Sequence, residues 1–265
     1  REISISTDRN GDEIYADGSY LGASPLTATL SFGTHNIKAV RDSKAVEKTI
    51  TVAQTGGDSS VRLAFKQEIN GHEYVDLGLP SGTLWATCNV GADKPEDYGG
   101  YFAWGETETK STYDWSTYKW CRGSYDRQKK YNTESGYGTV DNRTVLEMSD
   151  DAARVNWGGA WRMPTEAELR ELEDKCTWTW TTQGGKNGYR VTGPNGKSIF
   201  LPAAGYYDDG SLSDAGSDGY YWSSSLDTDD PDDACLLDFN SGHVGVYSYY
   251  RYCGLSVRPV CPSQK

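Results

Sequence analysis

The stretch Trp-Arg-Met-Pro-Thr-Glu-Ala-Glu-Leu-Arg-Glu-Leu, residues 161–172, decides the fold class of the larger part of this chain. Thr165 and Glu168 have the spacing of a capping box, in which the Thr hydroxyl and the Glu carboxylate each satisfy a free amide of the first helical turn. Leu169 and Leu172 lie one turn apart and can face a core together. The stretch therefore predicts an α-helix that begins at Thr165.

Around this helix, the chain from Gln67 onward is rich in Trp and Gly, which indicates long irregular loops with few helices. The helix should end near Lys175, and a shorter helix is expected at residues 149–155, where two acidic residues would lie at its positive end. Residues 67–265 are therefore predicted to form an α+β domain. Five of its tryptophans are interpreted as core residues rather than sugar platforms: Trp85, Trp104, Trp157, Trp161 and Trp222.

Residues 1–66 have a different pattern, with short strands, tight turns and no helix. Alternating apolar residues predict strands, the last three at residues 36–41, 46–52 and 61–65. Asn10-Gly11 and Asp17-Gly18 predict hairpin turns. His35 is expected on a strand surface. These features predict a small all-β sandwich that carries no catalytic residues and acts as a mechanical spacer.

Composition and charge exclude some classes of function. The chain has 265 residues, a mean hydropathy of −0.69 and a formal net charge of −12. A general binder of nucleic acid is disfavoured, because such proteins need a basic surface. Between residues 198 and 250 there are ten Asp and no Lys or Arg. This segment is expected to carry a negative field, which either serves solubility and loop structure or attracts a cationic partner.

The cysteines and the apolar runs do not indicate a metal site or a membrane span. Six cysteines are widely spaced without a Cys-x-x-Cys pair, so a zinc site is poorly supported. No apolar run has the length of a membrane span, and the chain opens on Arg1 without a signal-like segment. If the protein is exported, its leader is absent from this chain.

Residues 242–254 place Tyr, Ser, Gly and His on a short segment that indicates a strand and turns. Tyr offers large, stiff contact area with a polar tip, and Ser and Gly let such rings approach a partner in many geometries. Val244 and Val246 alternate with residues that should point to solvent or to a partner. The simpler interpretation is a polar edge strand with surface tyrosines. The candidate ligand-binding residues are Tyr221, Asp227, Asp229, Asp230, His243, Gly245, Tyr247, Ser248, Tyr249, Tyr250, Tyr252 and Cys253.

Different members of this set are expected to have different roles. The four tyrosines of residues 247–252 are the expected anchors, His243 and Ser248 the adaptable polar contacts, and the three aspartates a rim. Replacing the four tyrosines together by Ala is expected to abolish binding and to leave the melting temperature nearly unchanged.

Both parts of the chain resemble known families. Residues 14–22, Ser-Pro-Leu at 24–26 and Phe-Gly-Thr-His at 32–35 resemble the PEGA domain, which implies a spacer on a surface protein. The larger part has Val-Asp-Leu-Gly-Leu-Pro-Ser-Gly-Thr-Leu-Trp-Ala at 75–86, Trp-Arg-Met-Pro-Thr at 161–165 and Ser-Val-Arg-Pro-Val at 256–260, with further blocks at 101–106, 200–205 and 221–224.

Taken in their order along the chain, these six blocks resemble the Fibrobacter succinogenes major paralogous domain, a family similar to C-type-lectin-like folds. The resemblance implies a compact α+β body that holds a long-loop face of variable sequence. It also implies a lipoprotein or secreted protein of Bacteroides-type bacteria, located outside the cell or on the outer-membrane surface.

The resemblance suggests an origin for the tyrosine-rich segment. In this family, and in the variable proteins of diversity-generating retroelements that share the lectin-like fold, an Asn-rich run often precedes the Ser-Val-Arg-Pro-Val ending. Here changes at the adenines of an Asn codon would yield Tyr, Ser, Asp, His, Gly and Cys, a set that includes the residue types at His243, Gly245, Tyr247, Ser248, Tyr249, Tyr250, Tyr252 and Cys253. We hypothesise that a retroelement diversifies this segment, which predicts a near-identical template repeat downstream of the gene.

The predicted function is a non-enzymatic cell-surface protein for ligand binding or adhesion, whose partner is an unknown protein or glycan. No cofactor, metal or catalytic residue is expected, and contact with a membrane would be only through a lipid anchor absent from this chain. A calcium-dependent lectin is one alternative, since aspartates alternate at residues 227–233, although Pro231 stands where a third ligand is needed. An enzyme of the sulfatase-modifying-factor type is the other. It is suggested by the fold alone, since none of the three His lies near a nucleophile motif.

Overall fold

The computed structural model describes residues 1–263 and divides the chain into two compact units, Arg1–Gln67 and Glu68–Lys265. The expected boundary lay one residue earlier, between residues 66 and 67. The last two residues of the expected second domain, 264 and 265, lie outside the described residues.

The first unit is a β-sandwich. Its strands are β1 (Glu2–Thr7), β2 (Glu13–Ala16), β3 (Ser19–Ala23), β4 (Leu26–Thr29), β5 (Gly33–Arg41), β6 (Lys44–Val52) and β7 (Ser60–Leu63). One sheet has the order β4-β1-β7, with β7 parallel to β1, and the other has the order β3-β2-β5-β6. Alternate residues such as Ile3, Ile14, Ile37 and Val61 are buried in the single apolar core. The expected all-β sandwich is confirmed.

Two sequence predictions for this unit need correction. Asp17 and Gly18, with φ values of 48° and 84°, do form the tight turn between β2 and β3. Asn10 and Gly11 also form a turn, but this turn closes no hairpin, because β1 and β2 belong to different sheets. His35 is buried rather than exposed, and its Nδ1 lies 2.6 Å from Oδ2 of Asp17. The hydrogen bond to Asp17 raises the pKa of His35.

The second unit combines short sheets with few helices. Its strands and helices are β8 (Glu68–Ile69), β9 (His72–Asp76), β10 (Leu84–Ala86), α1 (Ala152–Trp157), α2 (Glu166–Lys175), β11 (Thr177–Gln183), β12 (Lys186–Thr192), β13 (Ser198–Pro202), β14 (Tyr206–Asp208), β15 (Ser211–Ser213), β16 (Asp218–Leu226), β17 (Asp233–Asn240), β18 (His243–Tyr250) and β19 (Val260–Cys261), with a 3₁₀ turn at Ser135–Tyr137. The sheets are β19-β10-β9-β8, β11-β12-β13, β14-β15 and β16-β17-β18.

The two helices follow the sequence predictions closely. Thr165 is the N-cap of α2, its hydroxyl accepts from the Glu168 amide, and the Glu168 carboxylate accepts from the Thr165 amide. The predicted capping box and the end at Lys175 are confirmed. α1 begins later than expected, because Asp151 is its N-cap and accepts from the Arg154 amide at 2.9 Å.

The core of the second unit lies on both sides of the β16-β17-β18 sheet. Trp222 and Leu236 belong to one apolar cluster, while Leu237 and Val246 belong to another that includes Leu169 and Leu172 of α2. All five tryptophans assigned to the core are buried. This α+β body with long loops is the expected C-type-lectin-like fold. Within residues 1–263, no helix has the length and apolar character needed to span a membrane.

Candidate functional site

The predicted display segment forms strand β18, the edge strand of the β16-β17-β18 sheet. Its eight residues pair with β17 in continuous antiparallel register, from His243 opposite Asn240 to Tyr250 opposite Asp233. Val244 and Val246 pack against the α2 side of the sheet. The backbone of β18 is therefore paired with β17 along its whole length, while some of its side chains stay exposed to solvent.

Three of the predicted anchors are exposed to solvent. The exposed fractions are 51% for Tyr247, 36% for Tyr249 and 45% for Tyr250. His243 is also exposed, and its Nε2 lies 2.9 Å from the hydroxyl of Tyr247. A Cβ added at Gly245 would lie 2.6 Å from the Tyr247 ring and 3.0 Å from His243 Nε2. The side chains of Tyr247 and His243 therefore cover the glycine.

A continuous series of aromatic rings extends from the end of β18. We define the tyrosine ridge as Tyr220, Tyr206, Tyr249, Tyr250, Tyr252 and Trp115. Neighbouring rings in this order have centroids 5.0, 5.8, 5.6, 5.8 and 4.8 Å apart. Most of these contacts are edge-to-face, which is a favourable arrangement for aromatic pairs and leaves ring faces available. Burial, together with neighbouring hydroxyl and thiol groups, raises the pKa of Tyr249 and of Tyr252.

Two residues that were predicted to bind the ligand lie inside the protein, so this prediction was wrong for them. Tyr221 is 1% exposed, donates to the carbonyl of Pro202 at 2.6 Å and stacks on Phe239, because its position in β16 faces the α2 side of the sheet. Cys253 is fully buried in the apolar cluster of Trp222, and its amide donates to the Tyr250 carbonyl in a turn. Neither side chain is available to a ligand.

Three other candidates are partly or fully covered by neighbouring residues. Ser248 is half-buried, and Tyr252 is half-buried against Trp115. Gly245 is buried beneath its neighbours. Tyr252 therefore contributes to the framework as well as to the ridge, so the prediction that these tyrosines contribute little to stability is now restricted to Tyr247, Tyr249 and Tyr250.

The aspartate-rich loop is an ordered turn. Oδ1 of Asp227 accepts from the amides of Asp229 and Asp230 at 3.0 and 3.3 Å. Asp230 accepts from the hydroxyl of Tyr137 at 2.9 Å, and this hydrogen bond raises the pKa of Tyr137 to about 12. Asp229 and Asp230 are exposed. Within residues 1–263, no group of three His, Cys, Asp or Glu is arranged to hold a metal ion.

Arg251, inside the tyrosine-rich segment, has a structural role that the sequence did not indicate. It is fully buried and donates to the hydroxyl of Tyr118 and to the carbonyls of Lys130, Tyr131 and Pro231, at 2.7–3.0 Å. Its guanidinium also lies 4.9 Å from the ring centroid of Trp104. This side chain fastens the end of β18 to two loops that are distant in sequence.

Sequence reasoning missed the ridge residues outside β18, namely Tyr206, Tyr220 and Trp115. They come from three separate segments, and only the fold brings them together. Tyr206 belongs to the hairpin of β14 and β15, whose turn is made by Asp209 and Gly210, both with positive φ. The Tyr-Tyr-Asp-Asp-Gly run at 206–210 shares adjacent tyrosines and glycine with the display segment, and its Asp-Gly pair could have signalled this hairpin.

The fold and this face together define a two-domain protein of the C-type-lectin-like class, with a β-sandwich before the lectin-like body. Two family models match the chain: the PEGA domain over residues 1–68 and the Lcl C-terminal domain over residues 79–261. The second match covers well over half of the chain, which therefore belongs to the Lcl C-terminal domain family. No curated protein and no solved structure matches it.

The pairing of a PEGA domain with a lectin-like domain, expected from the sequence, is confirmed. The two families fit a protein of the cell surface or the extracellular space with a general role in ligand binding or adhesion. The Bacteroides-type origin stays a prediction.

Proposed function

We propose that this protein is a non-enzymatic, exported surface receptor or adhesin whose lectin-like domain binds a protein or glycan through the tyrosine ridge and the exposed face of β18. The observation that carries the proposal is the exposure of Tyr247, Tyr249 and Tyr250 on a strand that pairs with β17 along its whole length. Burying large aromatic side chains is favourable. Because the fold leaves these three tyrosines exposed, their side chains contribute little to the core and remain free to contact a partner.

Preorganisation supports the same role. The β17 register and the four hydrogen bonds of Arg251 hold the segment before any partner arrives. A rigid aromatic surface loses little conformational entropy on binding, and Tyr has few rotatable bonds to immobilise.

Catalysis is not part of the proposal. His35 is hydrogen-bonded within the first unit, His72 is stacked on Trp157 at 3.7 Å, and His243 contacts Tyr247. His35 does lie between Asp17 and Ser31, with its Nδ1 2.6 Å from the Asp17 carboxylate and its Nε2 3.3 Å from the Ser31 hydroxyl, but the same Nε2 is 3.0 Å from the Ser31 carbonyl. Because a carboxylate and a carbonyl both accept from this ring, it is not free to take the serine proton, which hydrolysis by a triad needs. The five cysteines at 121, 176, 235, 253 and 261 have free thiols, and burial raises the pKa of Cys235 and of Cys253. A raised thiol pKa disfavours the reactive thiolate.

The test compares the whole chain with the triple variant Tyr247→Ala, Tyr249→Ala and Tyr250→Ala. Both proteins are screened against an array of glycans and a displayed library of random peptides. Ligands captured by the wild type and lost by the triple variant support the proposal, because hot-spot tyrosines are costly to truncate. The matched control is Tyr20→Ala, which removes an exposed tyrosine of the first unit.

Stability is measured on the same proteins. Exposed substitutions change it by about 0.5 kcal/mol each, and cross-strand aromatic pairs add up to about 1 kcal/mol, so the triple variant is expected to lose no more than about 3 kcal/mol. Ligands that bind the wild type and the triple variant equally would show that this face is not the interface. A collapse of the folded state would show that the three tyrosines belong to the core.

Sequence variation at this face is a second part of the proposal. In sibling sequences, changes are expected to concentrate at exposed positions such as Tyr247, Tyr249 and Tyr250 and to spare Arg251 and Cys253, which are buried. Such a pattern, with a template repeat that differs at adenines, would support a retroelement. An even spread of changes over the framework would contradict it.

A further inference from the structure

The tyrosine ridge lies among carboxylates. Burial raises the pKa of Tyr252, and the nearby Cys253 and Asp208 raise it further. Asp233 pairs with Tyr250 across the β17-β18 ladder, and Asp238 pairs with Tyr220 across β16-β17. Carboxyl groups therefore lie near both ends and near the middle of this series of rings.

These carboxyl groups have no salt-bridge partners among the residues that the structure describes. Ten aspartates lie between residues 208 and 238, and none forms an ion pair within the described residues 1–263. Other acids of the same unit are paired: Lys130 lies 2.5 Å from both Glu147 and Asp150. Arg251, which follows this stretch in the sequence, is buried and donates to four oxygens that carry no charge, and its own charge only partly opposes the rise in the pKa of Asp232 and Asp233.

The imbalance is sharpest at Asp233. Its Oδ1 is buried and has no hydrogen-bond partner within the described part of the chain. Burial, and then the carboxylates of Asp232, Asp227 and Asp230, raise the pKa of Asp233 to about 7. A buried polar atom without a partner is costly, and the neighbouring carboxylates add to that cost, so positive charge brought to this loop by another molecule would stabilise the ionised carboxylates.

We propose that the occupant of the tyrosine ridge is a cationic stretch of polypeptide, whose Arg and Lys side chains lie on the ring faces and pair with the flanking aspartates. This inference rests on the proposed function and names the class of partner. A guanidinium both stacks on an aromatic face and forms paired hydrogen bonds with a carboxylate. Nucleic acids and acidic glycans would be repelled by this surface, and a neutral glycan would leave its charge unbalanced.

The first experiment uses the peptide selection on the whole chain, with the triple tyrosine variant as the depletion step. Peptides that need the ridge are expected to be enriched in Arg and Lys relative to the starting library. Ridge-dependent peptides without a cationic excess would overturn this inference and leave the proposed function standing. Ridge-dependent glycans without ridge-dependent peptides would do the same. Absence of any ridge-dependent ligand would refute the proposed function itself.

The second experiment measures charge directly with fluorescent synthetic peptides. One short peptide alternates Arg with Gly and Ser, a second has Lys at each Arg position, and a third has Gln. The Arg peptide should bind at least about tenfold more tightly than the Gln peptide, since one or two cation–π contacts and ion pairs reach that size. The Lys peptide should fall between them, and added salt should weaken the Arg peptide most.

Variants assign the effect to the two parts of the surface. The double variant Tyr249→Ala/Tyr250→Ala should weaken all three peptides. Asp208→Asn and Asp233→Asn should weaken only the Arg and Lys peptides. The control Asp93→Asn removes an acid outside the ridge. Equal binding of the Arg and Gln peptides, or a loss of preference with Asp93→Asn as large as with the two ridge aspartates, would overturn the inference.

Discussion

Arg251→Met is the substitution that most directly tests how the display segment is held. Arg251 stands between Tyr250 and Tyr252 in the sequence, but it is fully buried and makes four hydrogen bonds to oxygens at 2.7–3.0 Å. Met fills much of the same volume without any donor. The variant therefore keeps the apolar packing and removes the hydrogen bonds.

The magnitude follows from the count of bonds. A hydrogen bond to a charged group contributes about 1.5–3 kcal/mol, and each buried acceptor left without a donor costs about 1–3 kcal/mol. Loss of the buried charge recovers part of its desolvation penalty, and water can reach part of the loop. We expect a net loss of about 3–5 kcal/mol in the free energy of unfolding.

Urea unfolding followed by tryptophan fluorescence measures this loss in the right unit, because all nine tryptophans lie between residues 85 and 222. Arg122→Met, at an exposed arginine of the same unit, is the control and should change stability by about 0.5 kcal/mol or less. If Arg251→Met does not fold, Arg251→Lys provides the measurement, since Lys cannot make all four bonds. A loss below about 1 kcal/mol in a folded Arg251→Met protein would refute the reasoning.

Three further predictions concern pH and ions. The raised pKa of His35 means that its bond to Asp17 contributes fully below about pH 6.5, and the contribution should be lost as pH rises through the folded pKa. Hydrogen exchange of the first unit should show this loss, and His35→Gln should abolish it. Glu168 has a pKa lowered to about 2 by Arg162, against burial, so its stabilisation should be lost as pH falls from about 4.5 toward 2. Glu168→Gln should lower the free energy of unfolding, measured by urea unfolding near neutral pH, by about 3 kcal/mol. The variant should also lose less stability than the wild type as the pH falls from about 4.5 toward 2. Calcium should leave the melting temperature unchanged, since Asp227 already accepts two backbone amides, whereas a rise would support the calcium lectin.

Local rules predicted the elements whose causes are local. The capping box at Thr165 and Glu168 predicted where α2 begins, because the groups that satisfy one another lie within one turn. Asp17 and Gly18 predicted the β2-β3 turn for the same reason. Asn10 and Gly11 have the same residue pattern, but the next strand joins the other sheet. Strand pairing depends on distant residues, which no turn motif encodes.

The candidate site was predicted in part, and the errors have one cause. Period-two alternation along β18 correctly predicted that Val246 points inward and Tyr247 outward. The same rule gave no warning that Tyr221 and Cys253 are buried, since residue type favours display and only the packing around each position decides exposure. Burial is a property of what covers a residue, and the cover comes from elsewhere in the chain.

The sequence by itself determined the two-domain organisation, the helix α2, the core tryptophans and the exposed tyrosines of β18, because each follows from patterns within a few turns or strands. Only the tertiary structure decided that Trp115, Tyr206 and Tyr220 continue the ring series begun by Tyr249 and that Arg251 is a buried clamp. The physical reason is that a surface is assembled from segments far apart in the chain. Residues on such a surface have no regular spacing in the sequence, and only the folded backbone brings them within contact distance.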